Sequence, residues 1–173
     1  NHNYFLHFVK VHVDAVSGAL GEIKLVRARA HFNCWSHVID QILWTMGLPE
    51  WVSAVGNPGD PGPWQRMIRM QWANGVIGQL DGTNLWGYDD HPLRIMLVGD
   101  KCYGEARGLE GWYTRRKANS SETEELWQVE EGVQEYGESF GRMAAGVIEG
   151  MQTGKPFPAD GEAAWNECLF EAA

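Results

Sequence analysis

Gln65-Arg66-Met67-Ile68-Arg69-Met70-Gln71-Trp72-Ala73-Asn74-Gly75-Val76-Ile77-Gly78-Gln79-Leu80-Asp81 is the stretch whose reading decides the fold. Ile68, Met70 and Trp72 fall on one face of a strand running from Gln65 to Trp72. Asn74-Gly75 is a strong hairpin signal, because both central residues of a type I′ turn need positive φ. Val76 to Asp81 then returns as an antiparallel partner. Further apolar runs continue the meander. Thr83 to Trp86 is expected to pair again, and Leu93 to Val98 is another strand. Gly99-Asp100-Lys101 turns into Cys102–Ala106, and Trp112–Arg116 is a last short strand. Upstream, Ile23 to Ala30 alternates apolar and basic residues as a half-buried strand does, and Trp51 to Val55 reads as a short strand. Asn57 to Pro63 is a loop by its Pro/Gly content.

Helices bracket these strands. Residues 1–20 read as an opening segment and a helix that Ser17-Gly18 ends. A second helix covers about 36–46, where Ile39, Ile42, Leu43 and Met46 recur at i, i+3, i+4 and i+7. Gly47 stops it and Pro49 prevents continuation. The acidic run Glu122 to Glu135 reads as a solvated face or loop. A long helix follows to about Gly150, with Val133, Tyr136, Phe140, Met143 and Val147 forming a stripe expected in the core. Thr153 to Gly161 is a loop, and Glu162 to Glu171 a final amphipathic helix. No internal repeat is present. The order helix, strand, helix, meander, helix argues for one α+β domain over residues 1–173 with a largely antiparallel sheet.

Composition narrows the function classes. The chain has 173 residues, 44% hydrophobic and 21% charged, enough for one domain with a real core. Its formal charge is −9, from 14 basic and 23 acidic residues. That argues against a surface that tracks nucleic-acid phosphates or anionic lipid. No apolar run approaches a membrane span and no signal peptide is read, so no membrane partner is expected. Cys34, Cys102 and Cys168 are odd in number and widely spaced, which points to a reducing cytoplasm rather than a disulfide framework. The first residue is Asn, which reads as processing, truncation or an incomplete record of the start.

The chemistry-bearing run is Asn33-Cys34-Trp35-Ser36-His37-Val38-Ile39-Asp40. If helix begins there, the Asn33 amide and the His37 imidazole share a face four residues apart. A titratable His beside a hydrogen-bonding partner can transfer protons. The plainer readings are a capping or core His37, an N-cap Asn33, and an Asp40 that caps or faces solvent. His31, Cys34 and His37 have a spacing that matches no recognised zinc motif, so no metal is expected. Arg94, between Leu93 and Ile95, is expected at solvent or an interface.

Four stretches together resemble the C-terminal domain of the glucose–fructose oxidoreductase / inositol dehydrogenase (Gfo/Idh/MocA) family. His2 to His7 is similar to the segment leaving that family's nucleotide domain. Ser17-Gly18-Ala19-Leu20-Gly21-Glu22-Ile23 is similar to its SGxLGxI turn. His37-Val38-Ile39-Asp40, with Leu43-Trp44 and Gly47-Leu48-Pro49, resembles its HxxDxxxWxxGxP helix. Phe140 through Gly150, with Lys155-Pro156-Phe157 and Gly161, resembles its closing helix, GKP turn and last helix. The resemblance spans nearly the whole chain.

It implies an open-faced, mostly antiparallel sheet with helices packed on one face, the exposed face pairing with a second copy. Ile68, Met70 and Trp72 are expected to contribute to that exposed face. It implies a substrate-binding and dimerisation part of an NAD- or NADP-dependent oxidoreductase acting on a sugar, polyol or related compound. His37 would be the proton-transfer residue and Asn33 its hydrogen-bonding companion. Tyr4, Trp35, Trp86 and Tyr88 could wall a sugar pocket, with Asp40 steering the His37 ring, although core packing is the commoner role of such aromatics.

The chain departs from the family in three ways. Asn33 stands where Asp is usual, and an amide cannot act as a base. Only His31-Phe32 separates Ala30 from Asn33, where a long Gly-rich stretch is common. No G-x-G-x-x-G follows a strand, and the family's EKP lysine is not in this chain. Two other readings stay open: a non-catalytic binding or assembly domain, and a cofactor-independent lyase or hydrolase built on His37.

Overall fold

The computed structural model describes residues 5–57, 62–85, 93–109, 111–128, 135–156 and 161–172. Four helices and eight strands follow in the order α1 (Leu6–Val16), β1 (Ile23–His31), α2 (Trp35–Met46), β2 (Trp51–Asn57), β3 (Gln65–Gln71), β4 (Ile77–Thr83), β5 (Leu93–Gly99), β6 (Cys102–Arg107), β7 (Trp112–Lys117), β8 (Thr123–Gln128), α3 (Glu135–Thr153) and α4 (Gly161–Ala172). The strands form one sheet in the order β2-β3-β4-β1-β5-β6-β7-β8. β1 runs parallel to β4 and antiparallel to β5, and every other neighbouring pair is antiparallel. The fold is the expected α+β one with a mostly antiparallel open sheet.

Alternation along each strand divides the sheet into two faces. On one face a continuous row reads Ala54, Ile68, Leu80, Ala28, Ile95, Ala106, Tyr113 and Trp127 from β2 to β8. Its central members are buried. α1 lies against β5, β6 and β7, and α2 against β1 and β5. α1 turns Phe8, Val11 and Asp14 inward, and α2 turns Trp35, Val38, Ile39 and Ile42 inward. Each such apolar side chain contributes about 1.5–3 kcal/mol on burial.

Small residues on this face let large rings approach the backbone. A Cβ on Gly82 of β4 would collide with the Trp35 and Trp64 rings. Ile68, Met70 and Trp72 belong to the same covered side and are buried at 6%, 2% and 5% exposure. The expectation that they form the exposed face is therefore corrected. Their alternation was read properly, but alternation alone does not say which side the helices take.

Four other local readings change. The β3–β4 connection is not a type I′ turn, since Asn74 does not have positive φ. Gly75 has φ +84°, its N–H reaches Trp72 O at 2.9 Å, and Trp72 N reaches Val76 O at 2.9 Å. This is the longer hairpin loop in which a glycine follows the turn. Second, Thr83 ends β4 rather than opening a new strand, its Oγ1 accepting from Leu85 N at 3.1 Å.

Third, the acidic run contains a strand. β8 pairs with β7, and a bulge at Arg115/Arg116 lets successive acids, Glu124 and Glu125, both approach Arg115. Its charges resemble a solvated loop because β8 is an edge strand, where charge guards against stray pairing. Fourth, the described part of the α3 stripe is not core. Phe140 is 41% exposed, and Met143 and Val147 are half-buried. Amphipathic period shows that a helix has an apolar side, not that its own domain covers it. The closest helix pairing is instead α4 on α2.

Candidate functional site

The candidate run, Asn33 to Asp40, sits where β1 ends. His31, the last residue of β1, is buried, and its Nδ1 accepts from Asn33 N at 3.2 Å. This ties Phe32–Cys34 into a single 3₁₀ turn before α2 begins at Trp35. Asn33 is therefore exposed in that turn, neither inside the α-helix nor at its N-cap, which is Cys34. Its four-residue spacing to His37 is not the spacing of one α-helical face.

His37 lies in the first turns of α2 and is half-buried. Burial lowers its pKa below the ordinary histidine value, so the ring is neutral at pH 7 and can accept a proton. Asp40 and Trp44 follow at i+3 and i+7, on the same outer stripe of α2, each half-buried. Trp44 stacks flat on His12 of α1, with ring centroids 3.7 Å apart and planes 7° from parallel. His12 Nδ1 also meets Thr45 Oγ1 at 3.3 Å. His12 is a neighbour that the sequence reading passed over, and Trp44 was read there only as part of the HxxDxxxWxxGxP resemblance, with no site role. The i, i+3, i+7 pattern of His37, Asp40 and Trp44 was the available signal.

Trp35 goes elsewhere. Two residues before His37, it projects from nearly the opposite side of the helix, inward over Gly82. It is 6% exposed and meets Trp64 edge to face at 4.9 Å, and Trp64 in turn meets Phe32 at 5.2 Å. Arg66 lies over the Trp64 ring at 5.4 Å. Trp35 also lines a cleft of about 210 Å³ between the β2–β3 edge and α4, with Val52, Arg66, Phe170 and Glu171. The structure thus brings His37 and Asp40 together on one stripe and places Trp35 on another. Tyr4, Trp86 and Tyr88 lie outside the described residues.

Across from Asp40, Glu167 of α4 has its pKa raised to about 7, by burial first and then by the charges of Asp40 and Glu171. Among the described residues no group of three or more His, Cys, Asp or Glu has the arrangement of a metal site. Cys34, Cys102 and Cys168 are free thiols. No described helix is long and apolar enough to cross a membrane.

No family model matches the sequence. No curated protein matches it either. Solved structures do match in fold. Levoglucosan dehydrogenase in complex with NADH and L-sorbose superposes with a TM-score of 0.74 at 16% identity, over 99% of this chain and 61% of that one. A protein described as a myo-inositol dehydrogenase from Sinorhizobium meliloti gives 0.75 at 16%, over 99% and 59%. A protein described as an oxidoreductase from Thermotoga maritima gives 0.70 at 17%, over 98% and 57%. The chain thus spans less than two thirds of the length of these proteins. They are oxidoreductases of the Gfo/Idh/MocA type, and their fold is the one this chain adopts along nearly its whole length.

Proposed function

We propose that this chain is the substrate-binding part of an NAD- or NADP-dependent oxidoreductase acting on a sugar, polyol or related hydroxy compound. The observation that carries the reading is the fold, shared over 99% of the chain with proteins described as levoglucosan and myo-inositol dehydrogenases. His37 is the proton-transfer residue. Its neutral ring, held on the outer stripe of α2, takes the proton of a substrate hydroxyl during oxidation and returns it during reduction. Asp40 is placed on the same stripe to steer that ring, and exposed Asn33 to hydrogen-bond the substrate through its amide. The nicotinamide, when bound, supplies the hydride acceptor.

This chain's residues do not fit a dinucleotide site. No glycine-rich G-x-G-x-x-G turn follows a strand, and β1 enters α2 through His31-Phe32-Asn33-Cys34, whose side chains would crowd a pyrophosphate. The cofactor is assigned to a part of the protein outside this chain. The same reading pairs the open sheet face with a second copy and sets the protein in the cytoplasm.

The test uses the full protein that carries this chain, with NAD and NADP and a panel of sugars and polyols. His37→Ala is expected to lower kcat by about 10²–10⁴-fold, the usual worth of a general acid/base, with cofactor affinity unchanged. Unchanged turnover would remove His37 from the reaction. Absence of NAD(P)-linked activity toward every compound would remove the reading itself.

A further inference from the structure

The helix-covered side of the sheet ends in a slot. One row there reads Gly56, Arg66 and Gly82 on β2, β3 and β4, a long side chain between two glycines. The Trp35 and Trp64 rings fill the space over Gly82. Gly56, on the other side, has β3 backbone and Arg66 Cγ as its nearest neighbours, and it lines the cleft that opens between the β2–β3 edge and α4. Val52, Ile68 and Phe170 give this cleft of about 210 Å³ an apolar wall. A cavity of roughly 150 Å³ takes up a benzene ring, so an organic molecule of that size fits here.

Three polar groups of the cleft stand without partners. Trp35 lines it at 6% exposure, and its Nε1 is buried with no hydrogen-bond partner among the described residues. The Cε3–Cζ3 edge of that ring faces Gly82, so the edge carrying Nε1 is turned away from β4. Buried N–H groups are paired in the great majority of cases, and an orphan one calls for an acceptor that the chain does not supply. Arg66 rests over the Trp64 ring at 5.4 Å and forms no ion pair among the described residues. Glu171, which follows buried Phe170 on α4, forms none there either. Two opposite charges thus line one cleft without pairing with each other.

We propose that this cleft binds a free α-amino acid with an aliphatic side chain. The ligand carboxylate answers both donors. The forked guanidinium of Arg66 matches its oxygens, and the Trp35 N–H donates to one of them. Glu171 receives the ammonium group, and the aliphatic side chain packs on Val52, Ile68 and Phe170. A plain organic acid would leave Glu171 facing a second carboxylate, and a residue inside a peptide lacks both charges. The cleft lies on the covered side of the sheet and on the other side of α2 from His37. It does not rest on the oxidoreductase reading, and its failure would leave that reading intact.

Calorimetric titration of the full protein that carries this chain tests it with L-leucine, with isocaproate, which lacks the ammonium, and with isoamylamine, which lacks the carboxylate. Saturable one-to-one binding of leucine is expected, with each of the other two about tenfold weaker or more. Trp35→Phe keeps a ring over Gly82 and removes only the N–H donor, and should weaken leucine about fivefold. Arg66→Gln and Glu171→Gln, at exposed positions that leave the core intact, should each weaken it about tenfold or more. Lys155→Ala, a control on α3, should bind leucine as the parent does. No saturable heat from leucine, isocaproate as tight as leucine, or full leucine affinity in Arg66→Gln and Trp35→Phe would overturn the proposal.

Discussion

Two arginines on opposite faces of the sheet show how differently this molecule treats charge. Arg115 of β7, on the helix-covered face, donates to Asp14 Oδ2 from Nη1 at 2.9 Å, and meets Glu124 at 3.2 Å and Glu125 at 3.3 Å. Lys10 of α1 reaches Asp14 at 2.7 Å and Glu125 at 3.2 Å. The Tyr113 hydroxyl donates to the same Asp14. Burial alone would raise the Asp14 pKa, but donation from Lys10, Tyr113 and Arg115 outweighs it and the carboxyl stays below its ordinary value. Tyr113 is shifted the other way, upward, by burial and by its carboxylate partner. Arg94, on the open face, has Glu105 beside it and two more arginines across the ladder. The covered face uses charge to fasten α1 to β7 and β8. The open face instead sets three arginines side by side across β1, β5 and β6, with Glu105 beside the middle one.

The largest difference should appear on deleting Asp14. Asp14→Ala leaves Lys10, Arg115 and the Tyr113 hydroxyl short of their shared acceptor, and breaking such a buried pair costs about 3–5 kcal/mol. Urea unfolding of Asp14→Ala beside Arg107→Ala measures it. The open-face change should stay within about 0.5 kcal/mol, the usual range for surface positions. Equal losses would erase the contrast between the faces.

Adjacent residues of β4 sharpen it on a single strand. Gly82→Ala pushes a methyl into the Trp35 and Trp64 rings and should cost about 1–3 kcal/mol as overpacking. Asp81→Ala, one residue away on the open side, should be near neutral by the same measurement.

The smallest effect is on pH dependence. His7 is fully buried, with its pKa lowered to about 4 by burial, which outweighs its hydrogen bond to Gly108 O at 2.9 Å, and further by the Arg142 charge. The unfolded chain binds that proton near pH 6.5 and the folded one does not. Stability from His7 is therefore present above 6.5 and lost as pH falls toward 4. Glu167 acts oppositely. The folded state takes its proton near pH 7 and the unfolded one near 4.5, so its burial favours folding more as pH falls through that window. The two slopes oppose each other. Glu167→Gln removes one, and its stability should fall more steeply with acid between pH 7 and 4.5 than the parent's. Parallel curves in thermal unfolding would show that α4 does not hold Glu167 against α2.

The strands, their antiparallel preference and the ends of α1 and α2 were legible in sequence, because alternation and helix-stop residues are local signals. Which face the helices choose was not, since Ile68 and Met67 alternate identically whichever side is covered. β8 was hidden because Glu124 and Glu125 look solvated until Lys10 and Arg115, distant in the chain, are brought to them. His37 was singled out from its neighbours in sequence, and it stands half-buried on α2. The shared face of Asn33 and His37 depended on helix beginning at Asn33, and a 3₁₀ turn with a His31 hydrogen bond to Asn33 N stands there instead. His12 reaches the site from another helix, which no local pattern can announce.

The position of β1 bears on the order of events in folding. β2, β3 and β4 are joined by successive neighbours, and so are β5, β6, β7 and β8, so each meander can assemble from local contacts. The two halves meet only on β1, the first of these eight strands in chain order, which must pair in parallel with β4 and antiparallel with β5. That step closes long loops and carries most of the entropic cost of assembly. Until β1 docks, both meanders present an open inner edge, and this is the interval in which the chain is most exposed to aggregation.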